Sequence, residues 1–195
     1  SFCRNGDTLL CPIDFELKIR GITHVLGYNG AGKSLFLEMC HAMINPTLGC
    51  VHWNGNLAED TKYSRGFIFQ HRVTLYRSVK KNIALPMQTA GWNNKLIEDR
   101  LEELLNMAGL QSKSEEPAST LSGGEVQRMA LVRALATYPK MVIMDEPTSS
   151  LDPSATTEFE KLISQNANSG IKFLWATHNI TQAKRFADDI IFIAD

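Results

Sequence analysis

Ile22-Thr23-His24-Val25-Leu26 runs without a break into Gly27-Tyr28-Asn29-Gly30-Ala31-Gly32-Lys33-Ser34, and Leu35, Phe36, Leu37, Met39 and Cys40 follow. The first five residues have the character of a buried strand and the last five that of a buried helix. Strand, glycine loop and helix in immediate succession is the setting in which the pattern G-x-x-x-x-G-K-[ST] cradles phosphate, and residues 27–34 satisfy it at every defined position. Glycines 27, 30 and 32 let the backbone wrap close to anionic oxygens, so that N–H groups and the positive helix end face them. Lys33 supplies a mobile point charge for the β and γ phosphates, and the Ser34 hydroxyl can ligate Mg²⁺. The glycines do not run G-x-G-x-x-G, which argues against a dinucleotide fold.

Upstream of that segment, Phe15, Leu17 and Ile19 alternate with Asp14, Glu16 and Lys18, which predicts a half-buried strand ending at Arg20-Gly21. Downstream, residues 51–53 before Asn54-Gly55 predict a short strand and a tight turn, and residues 66–69 predict another strand stopping at Gln70. Between residues 78 and 139 the character changes. Ile97, Leu101, Leu104, Leu105 and Ala108 keep helical spacing among acidic residues, with Gly109 as the stop, so this stretch reads as a helical insertion. Residues 141–144, 172–176 and 189–194 read as further strands separated by helical patterns. Strands alternating with helices imply an α/β fold with a largely parallel sheet covered on both sides.

The strand at 141–144 ends in Asp145-Glu146, and ligands of α/β sheets gather at the carboxyl ends of strands. Asp145 is placed to hold a Mg²⁺ shell, and Glu146 to accept a proton from a water attacking the γ phosphate. Leu121-Ser122-Gly123-Gly124-Glu125 opens a helix in which Ser122 and Glu125 have capping-box spacing and Val126, Met129, Ala130 and Ala134 form the apolar face. The two glycines bare backbone N–H groups at a second anion-attracting helix start. One phosphate loop already serves the chain, so this second site calls for a second nucleotide.

Residues 121–125, lying between the phosphate loop and the acidic strand, resemble the signature of the ATP-binding-cassette (ABC) ATPases, and the likeness covers nearly the whole chain. Gln70 stands where that family has its Q-loop glutamine, residues 150–152 resemble the D-loop with Asp152 as its acid, and His178 resembles the switch histidine. The resemblance implies a P-loop NTPase (RecA-like) core over residues 1–78 and 140–195, with a small antiparallel β part and an inserted helical signature subdomain over 79–139. It implies ATP and Mg²⁺ as ligands, with Gly27, Asn29, Gly30, Ala31, Gly32, Lys33, Ser34 and Leu35 around the nucleotide. Ser34, Gln70 and Asp145 would attend the metal, and Glu146, Gln70 and His178 the hydrolysis. It further implies a head-to-tail dimer sandwiching two ATP molecules, in which Ser122, Gly123, Gly124 and Glu125 serve the partner's nucleotide.

Three positions depart from the family pattern. Arg4 falls near the place of an aromatic ring that stacks on adenine, with Phe2 two residues before it; Leu35 replaces a second hydroxyl residue; and Glu125 replaces the common Gln while keeping the capping geometry. Residues 67–79 resemble the importer ATPases, those for oxyanions such as tungstate among them. In such systems the motor docks on transmembrane permease subunits, here through the stretch 70–86, and an extracytoplasmic solute-binding protein joins the complex. Arg72, Arg77, Lys80 and Lys81 make that stretch locally basic. The competing class is a soluble ABC ATPase of DNA repair or translation, but the short segment between Gln70 and Leu121 leaves no room for a long coiled coil.

Composition is consistent with this. The chain has 195 residues, 44% of them hydrophobic, enough for one filled core, and 20 basic against 21 acidic side chains give a net charge of −1. That balance argues against nucleic-acid binding through bulk charge. No apolar run approaches the roughly 20 residues that cross a bilayer. The first six residues lack a signal-peptide pattern, and the absence of Met at position 1 suggests a trimmed chain. Cysteines 3, 11, 40 and 50 have neither zinc spacing nor a disulfide pattern. The expected location is the cytoplasm, on the inner face of the membrane through permease subunits.

Overall fold

The computed structural model of the chain describes residues 1–4, 7–71 and 73–194, with the backbone alone at residue 4. The Arg4 side chain, near the place of the family's adenine-stacking ring, and Arg72 therefore lie outside the described residues. The strands are β1 (Phe2–Arg4), β2 (Asp7–Leu10), β3 (Ile22–Gly27), β4 (His52–Trp53), β5 (Asn56–Leu57), β6 (Arg65–Ile68), β7 (Met141–Asp145), β8 (Lys172–Ala176) and β9 (Asp189–Ile193). The α-helices are α1 (Lys33–His41), α2 (Val79–Thr89), α3 (Asn94–Ala108), α4 (Gly123–Ala134), α5 (Pro153–Asn168) and α6 (Ile180–Phe186).

Five strands form one sheet in the order β6-β7-β8-β3-β9, and every neighbouring pair is parallel. Parallel strands need crossover connections, which bring helices onto both faces, so the central strands are buried on both sides and carry apolar runs rather than alternation. β7 and β8 behave this way, with all ten residues buried. Met141, Ile143, Leu174 and Ala176 pack with Phe36, Leu37 and Cys40 of α1. Val142, Met144, Phe173 and Trp175 point to the other face, toward Phe159 and Ile163 of α5 and Met129 and Val132 of α4. That second cluster continues without interruption into α2 and α3 through Ile83, Met87, Ile97 and Leu104, so the insertion shares the sheet's apolar core.

The expected helical segment is present as α2, α3 and α4. Asn93 caps α3, its side chain accepting from the Leu96 N–H, and Gly109 ends the helix in a left-handed conformation at φ 65°. β4 and β5 form the expected hairpin, with Asn54 and Gly55 at φ 50° and 80° supplying its two-residue turn. β6 runs from residue 65 to 68, one residue earlier than the sequence suggests. Gly66 of that strand has a steric reason: a Cβ there would lie 2.6 Å from the carbonyl oxygen of Ala134, so the last turn of α4 rests directly on the strand backbone.

The strand expected at 14–19 does not form. Its alternating residues pair with no ladder among the described residues; Phe15 tilts against Phe36 with centroids 5.3 Å apart, Leu17 packs at the core edge, and Ile19 is largely exposed. Period-two alternation stabilises a strand only when a neighbour supplies the ladder. The antiparallel β part lies instead in the β1–β2 pair and the β4–β5 hairpin.

His24 sits in the centre of β3, fully buried against Trp175 with ring centroids 4.8 Å apart, and neither ring nitrogen has a hydrogen-bond partner among the described residues. Burial pushes its pKa from 6.5 down to about 4. The unfolded chain takes up this proton near pH 6.5 and the folded chain resists until about 4, so the stabilisation is complete above the first value and drains away as pH falls through that window. Burial also lowers the His41 pKa, adding a slope of the same sign. Replacing His24 with Phe should flatten the fall in urea midpoint between pH 7 and pH 4.5, measured by unfolding at half-unit intervals.

Candidate functional site

Because β8 lies between β7 and β3, the carboxyl ends of three adjacent strands converge. β3 delivers the phosphate loop, β7 delivers Asp145 and Glu146, and β8 delivers Thr177 and His178. Gly32 is the N-cap of α1 at φ 89°, a conformation open to glycine, and among the described residues no side chain caps that helix start. α3, α4, α5 and α6 by contrast each have a side chain bonded to their first-turn amides. The α1 start keeps uncapped amides at the positive helix end, which suits an anionic phosphate.

Lys33 is nearly buried and its ammonium donates to the carbonyls of Gly27 at 2.9 Å and Tyr28 at 3.0 Å, with Glu146 Oε1 3.8 Å away. Loop carbonyls thus hold the charge at the mouth of the loop. The Ser34 hydroxyl stands near enough to the Asp145 carboxylate to favour its charged form. Burial raises the Asp145 pKa, opposed by Ser34 and by Lys33 and reinforced by the adjacent Glu146 charge. A hydroxyl and a carboxylate side by side are the hard oxygen donors that Mg²⁺ prefers, so the residues present fit that ion.

Glu146 adopts φ 42°, a left-handed backbone that costs a non-glycine residue roughly 1 kcal/mol or more. Its N–H donates to Ala176 O at 2.9 Å, extending the pairing of β7 and β8 by one residue before the chain turns away. The side chain, one tenth exposed, meets His178 Nδ1 at 3.1 Å. His178 itself is more than half exposed. Gln70 stands exposed just past the end of β6, the neighbour of β7, with His71 close enough to influence Asp145. Asn29 is exposed and Ala31 buried in the loop, and Leu35 lies on the first turn of α1.

Behind His178 lies a polar network that the residue pattern alone did not single out. Gln182 is buried; its Oε1 accepts from Thr177 at 3.2 Å, and its Nε2 donates to Thr148 at 3.1 Å and to Glu160 at 2.8 Å. Arg185 closes the set by donating to both Glu160 oxygens at 2.8 and 2.7 Å. Thr148 lies two residues after Glu146 and Thr177 one before His178, so a single amide ties together the two chain segments carrying them. The signal available in the sequence was slight: polar residues beside apolar strand ends, with nothing to say that they meet.

At the other end of α4, Ser122 and Glu125 make the expected capping box, with the Ser122 oxygen accepting from the Glu125 N–H and the Glu125 carboxylate from the Ser122 N–H. Glu125 Oε1 also accepts from Lys113 at 2.7 Å, a partner not foreseen, and that bond is the main reason its pKa is held at about 2. Residues 122–125 line a shallow depression together with Asp152, which caps α5 through the Ala155 N–H at 2.9 Å. No residue of the phosphate loop lines it. Glu146, Thr148, Thr177 and His178 line a separate cavity of about 350 Å³.

The model of the family described as ABC transporter matches residues 10–149. The chain belongs to that family. It is 35% identical over 189 residues to the tungstate uptake system ATP-binding protein TupC of Peptoclostridium acidaminophilum, covering 96% of this chain and 88% of that protein. It is 37% identical over 187 residues to the methionine import ATP-binding protein MetN of Halalkalibacterium halodurans, covering 91% of this chain but only 55% of that one. Among solved structures, cbiO1 of Clostridium perfringens, part of the ABC transporter complex cbiONQ, superposes with a TM-score of 0.88 at 26% identity over 97% of this chain and 79% of its own. The dimeric post-hydrolysis state of the ATP-binding cassette MJ0796, bound to ADP and Pi, gives 0.84 at 26% identity, covering 95% and 86%. The P-loop NTPase fold and the ATPase class of this ABC cassette follow.

Gln182 makes a test of the network. Gln182→Leu leaves Glu160 and both threonines without that partner, which should lower stability by about 1–3 kcal/mol in urea unfolding. Steady-state assays should show a lower kcat with ATP affinity retained, since no bond of Gln182 reaches the phosphate loop.

Proposed function

We propose that this chain is the ATP-hydrolysing motor of an importer, working as a head-to-tail pair of cassettes around two ATP molecules. The observation that carries the reading is the division of the phosphate-binding elements. The phosphate loop at α1 takes no part in the depression at the signature start of α4, so a triphosphate held by the loop would meet a signature start only if a second cassette presents it. Each cradle would hold the phosphates through its loop amides and Lys33, with Ser34 and Asp145 as ligands to Mg²⁺, which when bound neutralises β- and γ-phosphate oxygens. Glu146 would take the proton of the attacking water, His178 would hold both Glu146 and the γ phosphate, and Gln70 would respond to metal and water from the end of β6. Ser122, Gly123 and Gly124 would close on the partner's γ phosphate, with Asp152 alongside.

Transport then follows from closure and reopening of the pair, passed to permease subunits docked near residues 70–86. Among the described residues no helix is long and apolar enough to cross a membrane, so attachment through such subunits is the fitting route. The tungstate and methionine relatives both support import, at similar identity. We read the cargo as an oxyanion, on the strength of the tungstate relative and the likeness of residues 67–79 to such motors; an extracytoplasmic binding protein would select it. Purification of the native complex should bring down a permease and a binding protein that retains tungstate or molybdate over methionine. A soluble repair or translation partner instead would overturn this reading.

Glu146→Gln should slow ATP hydrolysis by about 10²- to 10⁴-fold while sparing ATP binding. With hydrolysis stalled, Mg²⁺ and ATP should shift this variant from monomer toward dimer in sedimentation. Turnover at the parent rate would remove Glu146 from the role of base.

A further inference from the structure

The signature start of α4 poses an electrostatic difficulty. Around its depression stand the carboxylates of Glu125, Asp152 and Glu158 against one cation of the rim, Arg128, and that guanidinium is already paired to Glu158. Glu125 belongs to the first turn of α4, where its carboxylate is fixed by the Ser122 N–H. If the reading of the previous subsection holds, the triphosphate of a second cassette must approach this turn, and a fixed bare carboxylate there would oppose it. At an effective dielectric of about 20, two unit charges some 8 Å apart interact strongly enough to change binding by more than tenfold.

Lys113 answers that difficulty. It lies in a short 3₁₀ turn (Gln111–Lys113) that follows α3, outside the signature. Its ammonium reaches Glu125 Oε1 at 2.7 Å while Oε2 holds the Ser122 amide, so the two oxygens of one carboxylate have separate tasks. Glu125 is five-sixths buried in this arrangement and Lys113 is one-third exposed, which leaves the cation at the surface beside the depression. The depth to which the Glu125 pKa is depressed agrees with a persistent ion pair.

We propose that Lys113 is a positioning residue of the phosphate site shared between cassettes: by pairing with Glu125 it cancels the charge of the signature carboxylate, so that the amides of Gly123 and Gly124 can donate to the partner's γ phosphate. The inference rests on the two-cassette reading, and it makes a claim that a purely structural salt bridge does not. The need for Lys113 should vanish once residue 125 carries no charge, because a Gln side chain can still bond the Ser122 N–H.

The test is a double-mutant cycle in the Glu146→Gln protein, reading the ATP concentration that gives half-maximal dimer by sedimentation with Mg²⁺ present. Lys113→Met should raise that concentration about tenfold. The same change made together with Glu125→Gln should raise it less than about threefold over Glu125→Gln alone, and Lys113→Arg should behave as the parent. Raising the ionic strength from about 0.05 to 0.5 M should shrink the Lys113→Met defect, as screening replaces the missing cation. An equal defect in both backgrounds, or none in either, overturns the inference while leaving the two-cassette reading intact. Failure of the Glu146→Gln protein itself to dimerise with ATP removes both. Thermal midpoints without nucleotide identify a variant that merely unfolds; should Lys113→Met do so, Lys113→Gln takes its place in the same cycle.

Discussion

Glu146 Oε1 lies 3.1 Å from His178 Nδ1 and 3.8 Å from Lys33 Nζ, so one carboxylate oxygen ties together the ends of β7, β8 and β3. The contact is possible because the residue after Asp145 turns into a left-handed backbone at φ 42° while its amide still pairs with Ala176. A residue held in such a conformation persists only when its surroundings determine it. Here the determinants are the β7–β8 ladder on one side and the Thr148-Gln182-Thr177 bonds on the other. The loop lysine, the acid and the histidine are therefore parts of one arrangement whose geometry is set by the order of the strands.

Much of this was readable from residue order alone. The buried strands 141–144 and 172–176 announce themselves because parallel strands covered on both faces are continuously apolar. The phosphate loop is legible because its chemistry demands particular residues at fixed spacing, and the Ser122–Glu125 capping box because it is local. The failures have the opposite cause. The alternation of Phe15, Leu17 and Ile19 was a sound local signal, but a strand also needs a ladder partner, which no local pattern specifies. The β1–β2 pair is not legible in the sequence because strands of three and four residues carry almost no periodic signal.

The site shows the same division. Asp145, Glu146 and His178 could be located because each follows a recognisable strand. Gln182, Glu160, Arg185 and Lys113 could not, because what makes them matter is a meeting across long sequence separations. Glu160 and Gln182 are 22 residues apart and Lys113 and Glu125 are 12 apart. Buried polar groups find partners wherever the fold brings them, and a lone sequence records the groups without the encounter.

The seat of α4 on β6 has a mechanical meaning. With no side chain at Gly66, the carbonyl of Ala134 rests on the strand itself, and at the far end of a stiff twelve-residue rod stands Gly123. At 1.5 Å per residue that rod measures about 18 Å. A rocking of about 10° about its seated end would carry the far tip by about 3 Å, on the scale of a single hydrogen bond. The strand under the pivot ends two residues short of Gln70, so the foot of the lever and that glutamine share one short piece of backbone.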